Sequence, residues 1–153
     1  MDHSGTRLLA ASRPAIWQHL TSAQSLALCI PGCERVTGTM ADGFEMAVGH
    51  KVGPFTLHFT GTIELCDVIP ARSVTLTGRG KGAIAGLAQG SARIRLSDHP
   101  DGAEIAWDLG ALIDGRVARL GRKPLDGAVS AMTEHFIDRL DALLQAETGS
   151  RSG

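Results

Sequence analysis

Between Phe55 and Leu65 the chain alternates without a break. Phe55, Leu57, Phe59, Gly61, Ile63 and Leu65 fall on one parity, and Thr56, His58, Thr60, Thr62 and Glu64 on the other. Successive side chains of a β-strand point to opposite faces, so the pattern commits this segment to a strand with one apolar and one polar side. Such a strand needs partners for its edges and a cover for its apolar side.

The partners are legible on both sides of it. Val36, Gly38 and Met40 alternate with polar residues, and Asp42-Gly43 is a strong hairpin signal. Phe44, Met46, Val48, His50 and Val52 then share one face up to a turn at Gly53-Pro54. Pro70-Ala71 turns the chain into a strand holding Val74 and Leu76. Ala88, Gly90, Ala92, Ile94 and Leu96 alternate with Gln89, Ser91, Arg93 and Arg95. Beyond the turn at Pro100-Asp101-Gly102 come Ile105, Trp107, Leu109 and Ala111. Short turns between successive strands predict an antiparallel meander.

Upstream, Thr6 to Ala10 reads as a first strand. Ser12 can cap a helix carrying Pro14 in its first turn, and a second short helix is expected over Ala23 to Cys29, ended by Pro31 and Gly32. After Asp114-Gly115 the period becomes helical, with Val129, Met132, Phe136, Leu140 and Leu143 on one stripe. Pro124 predicts a kink or restart there, and Glu147 to Gly153 reads as a frayed polar tail. The expected fold is therefore α+β: a curved seven-stranded antiparallel sheet wrapped around a long C-terminal helix, with two short helices after the first strand. One domain is expected over residues 1–146, followed by a polar tail over 147–153.

Composition narrows the function classes. The 153 residues suit one core, and 15 basic against 16 acidic residues give a net charge of −1, with no general pull toward nucleic acid. No apolar run reaches the roughly 20 residues of a membrane span, and the first residues lack a secretory pattern, so a cytoplasmic location is expected. Cys29, Cys33 and Cys66 are odd in number and sparse, against a disulfide framework; Cys29 and Cys33 lack metal-site spacing and are expected to pack as small apolar groups. No nucleophile elbow, zinc-protease motif or phosphate loop occurs, and the chain has no tyrosine.

A cover laid over a curved sheet leaves space that side chains fill or a ligand occupies. The segment from Gly78 to Ala92, GRGKGAIAGLAQGSA, is built of small residues and favours an open space. The plain alternative is that its glycines relieve strain or make a flexible hairpin. The cavity is expected to be lined by Met46, His50, Phe55, Leu57, Phe59, Leu76, Gly78, Gly90, Ala92, Trp107, Val129, Met132 and Phe136. His50 shares the parity of Met46 and could donate to a ligand carbonyl, or be an ordinary core histidine. Arg116, Arg119, Arg122 and Lys123 cluster where the last helix begins. Cations there oppose the helix dipole at a cost of about 0.3–1 kcal/mol each, which suggests docking on an acidic partner or anionic headgroups; a solvated basic face is the alternative.

Three motifs carry a resemblance. Pro14-Ala15-Ile16-Trp17 through Leu20 with Cys29-Ile30-Pro31-Gly32-Cys33, then Lys51-Val52-Gly53-Pro54-Phe55 with Phe59-Thr60-Gly61, and finally Gly115-Arg116-Val117-Ala118-Arg119-Leu120-Gly121 occur in order over nearly the whole chain. Together they resemble the carbon monoxide dehydrogenase G-subunit family. The resemblance implies the helix-grip fold of the START-like, polyketide-cyclase-like superfamily. It implies a non-catalytic accessory protein of a molybdenum-containing carbon monoxide dehydrogenase, tied to membrane recruitment or electron delivery. No intrinsic cofactor is implied, but a quinone or lipid held in the cavity is. Some members carry a long C-terminal tail for membrane attachment. This chain runs only a few residues past Leu144, so contact with the inner face of the cytoplasmic membrane is expected to be peripheral. Two other readings use the same fold: a cyclase or hydrolase, for which His50 and Glu64 are the nearest polar pair, and an adaptor with a filled core.

Overall fold

The computed structural model describes residues 2–52, 54–82, 86–113 and 122–151; within these, the side chains of His50, Phe55, Leu57, Arg122 and Lys123, among others, lie outside the description. Strand β1 (Asp2–Leu9) leads into helices α1 (Arg13–Leu20) and α2 (Ala23–Cys29). Six strands follow: β2 (Cys33–Thr39), β3 (Gly43–Val52), β4 (Phe55–Ile69), β5 (Ser73–Gly82), β6 (Gly86–His99) and β7 (Gly102–Ile113). Helix α3 (Arg122–Arg151) comes last. The strands form one sheet in the order β1-β7-β6-β5-β4-β3-β2, every neighbouring pair antiparallel. This is the expected helix-grip arrangement, with β1 crossing over to close the far edge against β7.

Local chemistry sets the element ends. Ser12 caps α1, its hydroxyl accepting from the Ala15 amide, and Pro14 sits in the first turn, where a missing N–H costs nothing. Ser22 caps α2 in the same way through Ser25. Pro124 falls in the first turn of α3 as described, so the helix runs unbroken beyond it.

The structure corrects the expected boundaries in two places. β1 begins at Asp2 rather than Thr6, because Asp2 to Gly5 pair with Gly110 to Trp107 of β7 although their own sequence has no apolar alternation. α3 continues to Arg151, through the segment whose polarity predicted fraying. His19 of α1 explains part of that order. Its Nε2 lies 3.0 Å from Glu147 Oε1, and its Nδ1 lies 2.7 Å from the hydroxyl of Ser25 in α2. One imidazole thus ties all three helices together.

The core lies beneath the second half of α3. Ile137, Leu140 and Leu144 pack with Ile16, Leu20 and Cys29 of the short helices and with Val74, Ile94, Leu96, Ile105 and Trp107 of the sheet. The deepest helix positions are Leu140 and Leu144, 1% and 2% exposed; Leu143, which the stripe favoured, is only partly buried. Two surface ion pairs add anchors, Arg7 to Asp138 of α3 and Arg13 to Asp98 at 2.7 Å. The Arg13 guanidinium, hydrogen-bonded to Asp98, holds that carboxyl below its usual range.

Candidate functional site: an apolar cavity under the last helix

Residues paired across the strands form rows on the face that α3 covers, and the rows change in size along the sheet. Val74–Ile94–Trp107–Gly5 is one row, its indole laid over the glycine. The next is Leu65–Leu76–Ala92–Leu109. Then come Phe44–Ile63–Gly78–Gly90 and Met46–Gly61–Gly80. The first row carries large side chains toward α3, whereas in the last two the middle of the sheet is bare backbone.

Two adjoining spaces result. The larger, of about 460 Å³, has Gly61, Gly78, Gly80 and Gly90 as its floor. Met46, Val48, Phe59 and Ile63 stand at its sides, with Val129 and Met132 of α3 above. The smaller, of about 210 Å³, lies between Ile94, Ile105 and Trp107 of the sheet and Phe136 and Ile137 of the helix. Both linings are almost wholly apolar. The larger volume lies within the range of small-molecule sites.

The glycines differ in what they do. At Gly61 an added Cβ would lie 2.7 Å from the carbonyl oxygen of Arg79, so close strand approach demands glycine there. At Gly78 and Gly80 an added Cβ would meet nothing nearer than 3.7 Å, and neither has a positive φ. Neither strain nor crowding explains glycine at these two positions; what its absence of side chain provides is room.

The loop after α2 closes one wall. Ile30 and Pro31 line the smaller space, and Ile30 the larger one as well. Gly32 fixes this loop: its φ is +72°, a Cβ would lie 2.0 Å from Gly49 O, and Gly49 N–H donates to Gly32 O at 2.9 Å. The Ile-Pro-Gly-Cys motif is therefore a clip that presses two apolar side chains against the cavity.

Of the residues singled out in the sequence, Met46, Phe59, Leu76, Gly78, Gly90, Ala92, Val129 and Met132 line the larger space. Trp107 and Phe136 line the smaller. The side chains of His50, Phe55 and Leu57 lie outside the described residues, although pairing continues in register from Gly49↔His58 to His50↔Leu57. Arg116 and Arg119 also lie outside the described residues, as do the side chains of Arg122 and Lys123. Sequence reasoning missed Ile30 and Pro31, which no periodicity marks, and Gly61, Gly80 and Leu109, which share the parity of residues it chose.

Among the described residues, polar groups near the cavity are few. Trp107 Nε1 is buried with no hydrogen-bond partner among those residues, on the indole edge that lies over Gly5. Glu64 is exposed on the outer face, so it forms no pair with anything in the cavity. His58 is exposed beside Glu34 at 3.4 Å. The Ser25–His19–Glu147 trio lines neither space. Among the described residues, no group of three or more His, Cys, Asp or Glu side chains comes together as a metal site. Cys29 is buried, and burial pushes its thiol up to about 11; Cys33 is half-buried and raised for the same reason, and Cys66 is exposed. On the outer face Arg35, Arg79, Lys81 and Glu45 rim an open depression of about 440 Å³. No described helix is long and apolar enough to cross a membrane.

The family model for the G subunit of carbon monoxide dehydrogenase (CoxG) matches residues 5–145. The chain belongs to the CoxG family. No curated protein matches it. A conserved protein from Geobacillus kaustophilus is similar in structure, with a TM-score of 0.89 at 20% identity, covering 95% of this chain and 96% of that one. A putative uncharacterized protein from Rhizobium leguminosarum gives 0.73 at 13% identity, covering 95% of each chain. The di-domain aromatase/cyclase StfQ of steffimycin biosynthesis gives 0.70 at 13% identity, covering 97% of this chain and 52% of that one. At these identities the likeness establishes the fold that this CoxG-family chain shares with cyclase-like proteins.

Proposed function

We propose that this protein is a non-catalytic carrier that holds a quinone-like or lipid-like molecule under α3, in the service of a molybdenum-containing carbon monoxide dehydrogenase-type enzyme. The cavity carries the reading: about 460 Å³ of apolar space over a floor of glycines, two of which neither backbone strain nor crowding requires. A flat ring suits this space by chemistry, because the Met46, Met132 and Phe59 side chains suit a planar, polarisable guest. A quinone would supply redox capacity; the residues here would bind and orient it. Family membership supports the dehydrogenase as partner, with membrane contact remaining peripheral. A cyclase role has less support, since the lining offers no acid–base pair among the described residues.

Organic extraction of freshly purified protein followed by mass spectrometry tests the carrier role. An isoprenoid quinone or lipid is expected in the wild-type extract. Gly78→Leu, which projects a side chain into the open space, is expected to fold and to carry none. An empty wild type, or an equally loaded Gly78→Leu, would sink the reading. Co-purification with the dehydrogenase tests the partnership separately.

A further inference from the structure

We infer that the outer face of the sheet, on the side away from α3, carries a site for a small, multiply charged oxyanion of the phosphate or diphosphate class. The site lies on a different face from the apolar cavity and does not depend on what that cavity holds.

Strand pairing brings its residues together. Arg35, Ala47, Thr60 and Lys81 lie in one row across β2, β3, β4 and β5, and Glu45, Thr62, Arg79 and Gln89 in the next, across β3 to β6. Long side chains therefore stand around two threonines, and a depression of about 440 Å³ results. Its rim carries three cations, Arg35, Arg79 and Lys81, against the single carboxylate of Glu45. Thr62 stands between Glu45 and Arg79, so these two start two strands apart, roughly 9–10 Å.

The charges there have no structural use that the fold explains. Arg7, Arg13 and Arg95 each lie against a carboxylate, whereas among the described residues Arg35, Arg79 and Lys81 have no such partner. Arg79 and Lys81 are two residues apart on one strand face, roughly 6–7 Å, where like charges repel. Cations often guard the edge of a sheet against pairing with another chain, but β5 is the central strand of seven. Among the described residues, the hydroxyls of Thr60 and Thr62 and the amide of Gln89 also lack hydrogen-bond partners within the protein. Positive charge and free donors thus converge on one depression, as an oxyanion requires. The lining holds no aromatic ring on which a base could stack, which favours a compact anion over a nucleotide or nucleic acid. An acidic protein surface would meet the rim and leave the threonine hydroxyls between the cations unused.

Titration of the full chain with diphosphate at low ionic strength, followed by calorimetry and by amide chemical shifts, tests this. Saturable binding is expected with a Kd below about 1 mM, weakening as salt is added. The largest shifts are expected at Thr60, Thr62, Arg79 and Lys81. Arg79→Gln and Lys81→Gln, both at exposed positions, should melt as wild type does and each bind about tenfold more weakly, the loss of one charge-assisted contact. Arg95→Gln, whose arginine is already paired with Asp108, should keep wild-type affinity. No saturable binding to wild type would overturn the inference. So would an equal loss in Arg95→Gln, since the anion would then be reading overall charge. Vesicles of phosphatidylglycerol and phosphatidylcholine in equal parts separate the other source of phosphate. Vesicle binding that Arg79→Gln abolishes and diphosphate fails to compete away would make this face a lipid surface and overturn the inference as well.

Discussion

The two halves of the sheet use the same strands and the same alternation, yet they meet α3 in opposite ways. In one half Val74, Ile94, Leu96, Ile105 and Trp107 cluster with Ile137, Leu140 and Leu144 and leave only the smaller space of about 210 Å³ between them, and every one of these residues is buried. In the other half Gly61, Gly78, Gly80 and Gly90 face Val129 and Met132 across open space, and those helix residues are only half-buried. The first half supplies most of the packing, since each buried aliphatic side chain contributes about 1.5–3 kcal/mol. The second half leaves the cavity, although Phe44 at its edge is itself buried. A small domain can keep such a void only because the other half, with α1 and α2 added to it, is closely packed.

The sharpest way to break this comparison is to truncate the helix on each side. Leu140→Ala should cost about 2–5 kcal/mol in urea unfolding, whereas Met132→Ala, whose side chain already faces a void, should cost about 1 kcal/mol or less. Equal losses would mean that the open half is packed after all.

Glycine substitutions sharpen the same contrast. A Cβ at Gly5, in the packed half, would lie 2.7 Å from Trp107 Cζ2. Gly5→Ala is therefore expected to cost about 1–3 kcal/mol. Gly78→Ala meets only ordinary contacts and should be neutral or stabilise by up to about 1 kcal/mol through the unfolded chain. Thermal or urea unfolding of the pair would read out the difference.

Cys29 gives a pH test within the packed half. Burial raises its thiol from the ordinary 9.0 to about 11. Between those values the unfolded chain ionises this thiol while the folded one keeps its proton, so the folded state loses stability as pH rises from 9.0 toward 11. Wild type is expected to lose more over that window than Cys29→Val. Thiol labelling should follow the order Cys66, Cys33, Cys29, with Cys29 unreactive until unfolding.

A small effect is also expected at the helix junction. His19→Ala removes the imidazole shared by Ser25 and Glu147 and should cost about 1 kcal/mol, with faster amide exchange from Leu144 to Arg151. Unchanged exchange there would mean that the end of α3 is held by other contacts.

How much was legible depended on how local the cause was. The alternation from Phe55 to Leu65 announced β4 because the pleat that sorts those side chains is a property of the strand itself. The small residues at Gly78, Gly90 and Ala92 pointed to the cavity floor for the same reason, since parity alone puts them on one face. Asp2 to Ser4 carry no such pattern and become strand only because β7 lies alongside. The helical stripe marked the right side of α3 but chose Leu143 over Ile137 and Leu144, because neighbouring apolar lines on a helix differ by a small rotation that its partners set. Ile30 and Pro31 reach the cavity through the clip between Gly32 and Gly49, two residues with no periodic relation.

The sequence by itself determined the strands, the helices, their order and the small size of the residues at the middle of the sheet, because backbone geometry and side-chain volume act over a few neighbouring positions. Only the tertiary structure decided that those small residues line up in adjacent rows, that α3 spans them rather than sinking onto them, and that a leucine row stands between two spaces. Those outcomes depend on the register between strands distant in the chain and on the packed half holding the helix at a fixed height, and neither quantity is written in any local run of residues.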